Sequence, residues 1–410
     1  MATTAIGSTR VQSIRRTVSI AAVFTLFVAV VFGFGLYLFA LVVPVMRERL
    51  GFEFAAIGIV TGGAQTAYLV AALLCPLLTS RFGGAQVIVG AVAAASLLLL
   101  LFAGVHSIGQ TGLVLAGLGA TAAFMIIPTV GVISESVPLC YRSRVNGLIS
   151  SGTAYGQVAN GVLVSWLLSG HGWRKIWIAA GATSLAIMLF GFIALRLLAS
   201  QVFDHEVPKR AENSRASGGR RRLVTGRNLT VWTLLALAGM ACGPWQNFLS
   251  SFLAAERGHS LETIGQLWST IGVVGLFSGF VAGMAADKAG VRIALALSYA
   301  VLACSALLVA FHSEIWQLQA AAICFGLSFY AVYGLIPAYI SKTVDPRSVT
   351  TVFAVANVFL GLGTTLGNVI GGYIPSWYGS LKDVFIVAST LACVAMVLTM
   401  TLHDERRLHA

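Results

Sequence analysis

The chain has 410 residues, 58% of them hydrophobic and only 10% charged, with a mean hydropathy of +0.88. Soluble domains carry about 25% charged residues, so composition excludes an ordinary soluble domain. The formal net charge of +12 raises nucleic-acid binding as a reading, but the placement of the charges along the chain excludes it.

Continuous apolar runs of about 20 residues, the length of a bilayer-crossing helix, recur throughout. Alternating runs of a membrane barrel are absent. The runs predict twelve helices at roughly 18–46, 55–78, 85–104, 111–134, 145–169, 173–199, 231–254, 264–286, 291–311, 317–340, 350–374 and 383–402. Residues 1–17 read as a polar cytoplasmic N-tail, 18–199 as one six-helix bundle and 231–402 as a second. Residues 200–230, with the run Arg220-Arg221-Arg222, read as a cytoplasmic linker, and 403–410 as a C-tail. With the N-terminus inside, 20 Lys and Arg fall on cytoplasmic segments and 6 outside. That bias sets both termini inside and accounts for the basic excess. The six Cys have no paired spacing and read as core residues, neither metal site nor disulfide framework.

Helix 1 carries Gly33-Phe34-Gly35-Leu36-Tyr37, read equally as close packing or as a flexible point lining a cavity. Helices 4 and 10 each contain a proline, Pro128 and Pro337, expected to bend them. Pro244-Trp245-Gln246-Asn247 in helix 7 reads as a helix break beside polar side chains.

The two bundles repeat each other. Pro76 to Gly83 falls on Gly283 to Gly290 at an offset of 207, so Ser80 matches Asp287 and Arg81 matches Lys288. Helices 5 and 11 match at 211, with Gly152 and Gly156 on Gly363 and Gly367. The turn Gly283-Met-Ala-Ala-Asp287-Lys288-Ala-Gly290-Val-Arg292 resembles the signature loop of the major facilitator superfamily of membrane transporters, with Lys for Arg. The ends of helices 4 and 10, with Glu135, Pro138, Arg142 and Arg144 and with Lys342, Asp345, Pro346 and Arg347, resemble the same family. The glycine face of helix 5 resembles the antiporter motif of exporters, but Gln157 stands where that motif has proline.

The resemblance implies an all-α polytopic membrane protein of two six-helix pseudo-repeats, with alternating access to a mid-membrane site. It implies gating charge networks at Asp287, Lys288 and Arg292, and at Arg81, Glu135, Arg144, Asp345 and Arg347. All acids and bases lie at predicted helix ends or in loops. This argues against a buried carboxylate relay and against a central Arg clamp. Glu48, Glu53, Glu256 and Glu262 near the outer mouth remain coupling candidates.

The cavity-facing helices of such a fold carry Tyr37, Gln65, Thr121, Phe124, Gln157, Trp245, Gln246, Asn247, Tyr330, Tyr333, Thr364 and Asn368 as solute-binding candidates. The set suits a neutral metabolite or a monocarboxylate held by hydrogen bonds. The expected protein is a monomeric, multi-pass inner-membrane permease with no cofactor and no metal. Its partners are a small-molecule solute and the lipid bilayer; a coupling ion, proton or sodium, is allowed. The alternative is a multidrug or metabolite efflux pump of the same superfamily. No catalytic set of an intramembrane enzyme is present in the sequence.

Overall fold

The computed structural model describes residues 2–167, 172–203, 224–344 and 348–403. Among them the chain is helical and contains no strand. The first helix, α1, is one continuous rod made of Ala2–Val28, a π-helical stretch Ala29–Tyr37 and Leu38–Leu50. Then follow α2 (Phe54–Phe82), α3 (Gly84–Phe102), α4 (Ile108–Ser136), α5 (Leu139–Leu167) and α6 (Trp173–Leu198). After a short 3-10 turn at Ser200–Phe203 come α7 (Gly226–Ala255), α8 (Leu261–Ala289), α9 (Val291–Phe311), α10 (Ile315–Thr343), α11 (Val349–Tyr378) and α12 (Lys382–Thr399).

Among the described residues, ten helices are long and apolar enough to cross a bilayer. α5 and α7 are as long but more polar, because they carry Gln157 and Asn160, and Gln246 and Asn247. Several helices run past the expected apolar limits: α1 reaches back to Ala2 through the expected N-tail, and α7 begins at Gly226 inside the expected linker. A helix of 29 residues, as in α2, is about 44 Å long at 1.5 Å per residue. That exceeds a hydrocarbon core of about 30 Å, so the ends project into the headgroups. Both α4 and α10 continue through Pro128 and Pro337, and α7 continues through Pro244 rather than breaking there.

The packing repeats. In the first half α1 packs on α5 and α6, α2 on α4, and α3 on α4 and α6. In the second half α7 packs on α11 and α12, α8 on α10, and α9 on α10 and α12. The glycines with positive φ fall into three pairs, each 207 residues apart: Gly51 and Gly258, Gly83 and Gly290, Gly172 and Gly379. Each ends or begins a helix at a positive φ, which costs a residue with Cβ roughly 1–3 kcal/mol. The repeat read from side chains is thus present in the backbone.

The halves meet along two matching seams, α2 with α11 and α5 with α8, and where Leu38–Leu50 of α1 meets α7. Glycines let the backbones touch. A Cβ added at Gly58 would lie 2.3 Å from the Asn368 carbonyl oxygen, and one at Gly161 2.3 Å from that of Gly265. Glycine contacts between the halves run from Phe54 to Leu69 on α2 and from Ala154 to Ser165 on α5. These stretches lie toward the face opposite the chain termini. Gly131, Gly147, Gly279, Gly283 and Gly334, toward the terminal face, have open space where a Cβ would go. Among the described residues, the glycine contacts that cross between the halves therefore lie toward the face opposite the termini.

Candidate solute site

The joint between the halves holds a cluster of tyrosines and amides, and its geometry starts in α1. The π-helical stretch ends with Leu38 N–H donating to the Gly33 carbonyl, one residue further back than in an α-helix. The same carbonyl accepts a hydrogen bond from Asn160 Nδ2 at 2.7 Å. Gly33 lies directly on Gly156 of α5, where a Cβ would come within 2.4 Å of Gly156 Cα. Gly33 therefore serves close packing, whereas a Cβ at Gly35 would meet its neighbours at an ordinary 3.6 Å or more, and the π-helical stretch carries Tyr37 at its end. Tyr37 faces the side chain of Gln246 on α7 and is within electrostatic range of Tyr68, Tyr330 and Tyr333.

Across the cluster, Tyr330 Oη of α10 donates to Gln157 Oε1 of α5 at 3.0 Å, a hydrogen bond that spans the two halves. Gln157 is fully buried, and its Nε2 has no hydrogen-bond partner. Gln246 is 6% exposed, and its Nε2 also lacks a partner of good geometry. Buried donors left unpaired cost about 1–3 kcal/mol each, so they mark places where polar chemistry is expected. On α7, Asn247 Nδ2 donates to Asn368 Oδ1 at 3.1 Å and to the Gly243 carbonyl at 3.0 Å.

An aromatic column supports the tyrosines. Trp245 stacks on Phe325 with centroids 3.7 Å apart and planes 3° from parallel, and Phe325 stacks on Phe329 at 5.4 Å. Phe329 in turn touches Tyr330 at 5.1 Å and Tyr333 at 4.7 Å. The structure places Trp245 behind the cluster, 1% exposed between Phe325 and Phe385. Its large apolar face is better buried in the second bundle than left in a polar cavity.

Of the other expected site residues, Thr121 and Thr364 spend their hydroxyls on their own helices, bonding the carbonyls of Leu118 and Leu360. Phe124 and Gln65 are half-buried. Asn160 was not in the expected set; its signal was its place one turn after Gln157, on the same face of α5.

At the terminal face Arg81, Glu135, Arg144, Asp287 and Lys288 are exposed. Arg292 is held to the end of α12, donating to the Leu402 carbonyl at 3.3 Å. Asp345 and Arg347 lie outside the described residues. At the opposite face, both carboxylate oxygens of Glu256 accept hydrogen bonds of 2.6 Å, from Ser380 Oγ and from Leu381 N–H. Glu256 thus anchors the α11–α12 turn. Among the described residues no group of His, Cys, Asp and Glu could hold a metal ion.

A family model described as Major Facilitator Superfamily matches residues 25–360 and 246–409. The cis,cis-muconate transport protein of Acinetobacter baylyi is 24% identical over 80% of this chain and 80% of its own length. The gallate transporter of Pseudomonas putida is 22% identical over 92% of this chain and 90% of its own. Among solved structures, a bacterial homologue of the human lysosomal transporter Spinster, in an inward-facing and occupied conformation, superposes with a TM-score of 0.73. It is 15% identical over 94% of this chain and 95% of that one. The nucleoside transporter NupG gives the same TM-score of 0.73, at 15% identity over 93% of this chain and 99% of its own.

Proposed function

Because the chain belongs to the major facilitator superfamily, and is thereby a multi-pass transport protein of the cell membrane, we propose that it is a permease for a small neutral metabolite or monocarboxylate. In this reading all twelve helices span the membrane with both termini cytoplasmic, and the halves rock about the tyrosine–amide cluster in alternating access. The observation that carries it is the Tyr330–Gln157 hydrogen bond, which ties the halves inside an uncharged belt of Tyr37, Gln246, Tyr333 and Asn247. In this reading the state is inward-open, because the glycine contacts between the halves lie toward the face opposite the termini. Asp287, Lys288 and Arg292, with Arg81, Glu135, Arg144, Asp345 and Arg347, then hold that face shut when the protein opens outward.

An uptake role is favoured over efflux by what the glycine faces do. Gly152 and Gly156 pack on Thr25, Val28, Ala29 and Gly33 of α1, and Gly363 and Gly367 pack on Ala236 and Met240 of α7. Helix packing accounts for these glycines in both halves without exporter chemistry. The relatives' named solutes, muconate and gallate, support an organic acid, and a site without a buried positive charge fits one carboxylate better than two. The test is uptake into proteoliposomes of gallate, uridine and muconate. The reading expects gallate or uridine to enter and muconate to be excluded; uptake of none of the three, or of muconate alone, would overturn it.

A further inference from the structure

Resting on that reading of alternating access, we propose that Gly275 of α8 is a positioning residue. It seats the ring of Tyr330, and the seated Tyr330 forms with Gln157 a latch that holds the halves together in the inward-open state. Gly275 and Tyr330 both belong to the second half, where α8 packs on α10. A Cβ added at Gly275 would lie 2.8 Å from Cζ of Tyr330, 2.7 Å from Cδ2 and closer still to Cε2. One edge of the ring therefore occupies the volume that any other residue at 275 would fill. Phe329 meets the same ring edge-on, with centroids 5.1 Å apart and planes at 87°. Held by the bare backbone of α8 and by Phe329, the ring delivers Oη to Gln157 Oε1 at 3.0 Å.

The receiving side chain is aimed at the joint by the pitch of α5. Gly152 and Gly156 face α1, while Ala154, Val158, Gly161 and Ser165 face α8 of the other half. Val162 and Trp166 are exposed. With about 100° between successive residues, Gln157 falls between the α1 face and the α8 face, on the side away from Val162 and Trp166. Gly272, one turn before Gly275, carries the close contact with Ala154 and Val158, so α8 places the crossing of the halves and the seat of the latch on adjoining turns. The internal repeat does not reproduce the seat. At an offset of 207 Gly275 falls on Tyr68, and at 209 Tyr330 falls on Thr121, so the large and the small residue are exchanged. Thr121 gives its hydroxyl to the Leu118 carbonyl of its own helix, and the matching place in α4 supplies no such bond across the halves.

The test reads the distance between spin labels at Arg49→Cys and His312→Cys, exposed positions on the two halves, in the full-length protein cleared of native cysteines. Wild type, Tyr330→Phe, Gly275→Ala and the double variant are compared. Loss of one neutral hydrogen bond should raise the ratio of the longer to the shorter distance roughly two- to tenfold in Tyr330→Phe. Gly275→Ala, which displaces the ring, should raise it as much, and the double variant should go no more than about twofold beyond either single one. A merely structural cost of the added methyl would lower Tm and leave the ratio in place. If Gly275→Ala is not recovered folded, Gly275→Ala with Tyr330→Leu is compared with Tyr330→Leu alone. Removing the ring should restore folding; a pair that still fails to fold would overturn the seat. An unchanged ratio in Gly275→Ala, or a double variant whose shift is the product of the two single ones, would also overturn the seat. An unchanged ratio in Tyr330→Phe would overturn the latch. Wild-type proteoliposomes that take up none of gallate, uridine and muconate would instead overturn the transport reading, whatever the distances show.

Discussion

Replacing Gly161 with Ala tests whether the α5–α8 seam belongs to one conformation only. A Cβ there would lie 2.1 Å from Ser269 Oγ, 2.3 Å from the Gly265 carbonyl oxygen and 2.8 Å from Ser269 N. Two of these atoms are backbone, so the helices must separate. Overpacking of this kind costs roughly 1–3 kcal/mol. If the seam parts when the protein opens to the face opposite the termini, the cost falls on the inward-open state alone. The equilibrium then shifts about 5- to 150-fold toward the other state. Gly156→Ala is the control. Its Cβ would lie 2.5 Å from Gly33 Cα and 2.7 Å from the Ala29 carbonyl oxygen, but α1 and α5 belong to the same half, so both states carry the cost. The assay is the distance between spin labels at Arg49→Cys and His312→Cys, exposed positions on the two halves at that face, in a background cleared of native cysteines. Gly161→Ala should populate a longer distance and Gly156→Ala should lower Tm without doing so. Identical distance distributions in wild type and Gly161→Ala would refute the argument.

Other substitutions separate structural from functional roles. Glu256→Gln weakens the two 2.6 Å bonds that hold the α11–α12 turn, so unfolding stability should fall by about 1–3 kcal/mol, while gallate affinity measured by calorimetry stays unchanged. Asp287→Asn should slow transport several-fold in proteoliposomes at unchanged membrane insertion, checked by fractionation; unchanged turnover would remove the gating role. Gly290→Ala places a Cβ at φ 92 and ψ 152, a conformation essentially confined to glycine, and should cost about 1–3 kcal/mol of stability, read as a lowered Tm.

Much of this architecture was legible in the sequence because lipid admits few solutions. A backbone in hydrocarbon must satisfy its own hydrogen bonds, so apolar runs became helices close to where they were expected. The glycine spacing in α5 and α11 marked faces that do pack, on α1 and α7. What sequence did not show has physical reasons. Successive helical residues point about 100° apart, so Trp245, Gln246 and Asn247 cannot all face one cavity, and Trp245 turned to Phe325. No residue type announces the shifted hydrogen bond that makes Ala29–Tyr37 π-helical. Pro244 deletes one donor, and its helix is held through the gap by neighbours such as Gly371, where a Cβ would lie 3.1 Å from Pro244 Cβ. The partner of Glu256 lies 125 residues away, a pairing that only the fold creates.

The central claim is that a solute crosses by alternate exposure of one site between the halves, and counterflow tests it most directly. Proteoliposomes loaded with unlabelled gallate are diluted into a trace of labelled gallate. A carrier with one alternately exposed site accumulates label transiently above equilibrium, and Gln157→Leu should abolish that overshoot. Label that rises only to equilibrium, or an overshoot that survives Gln157→Leu unchanged, would contradict the account.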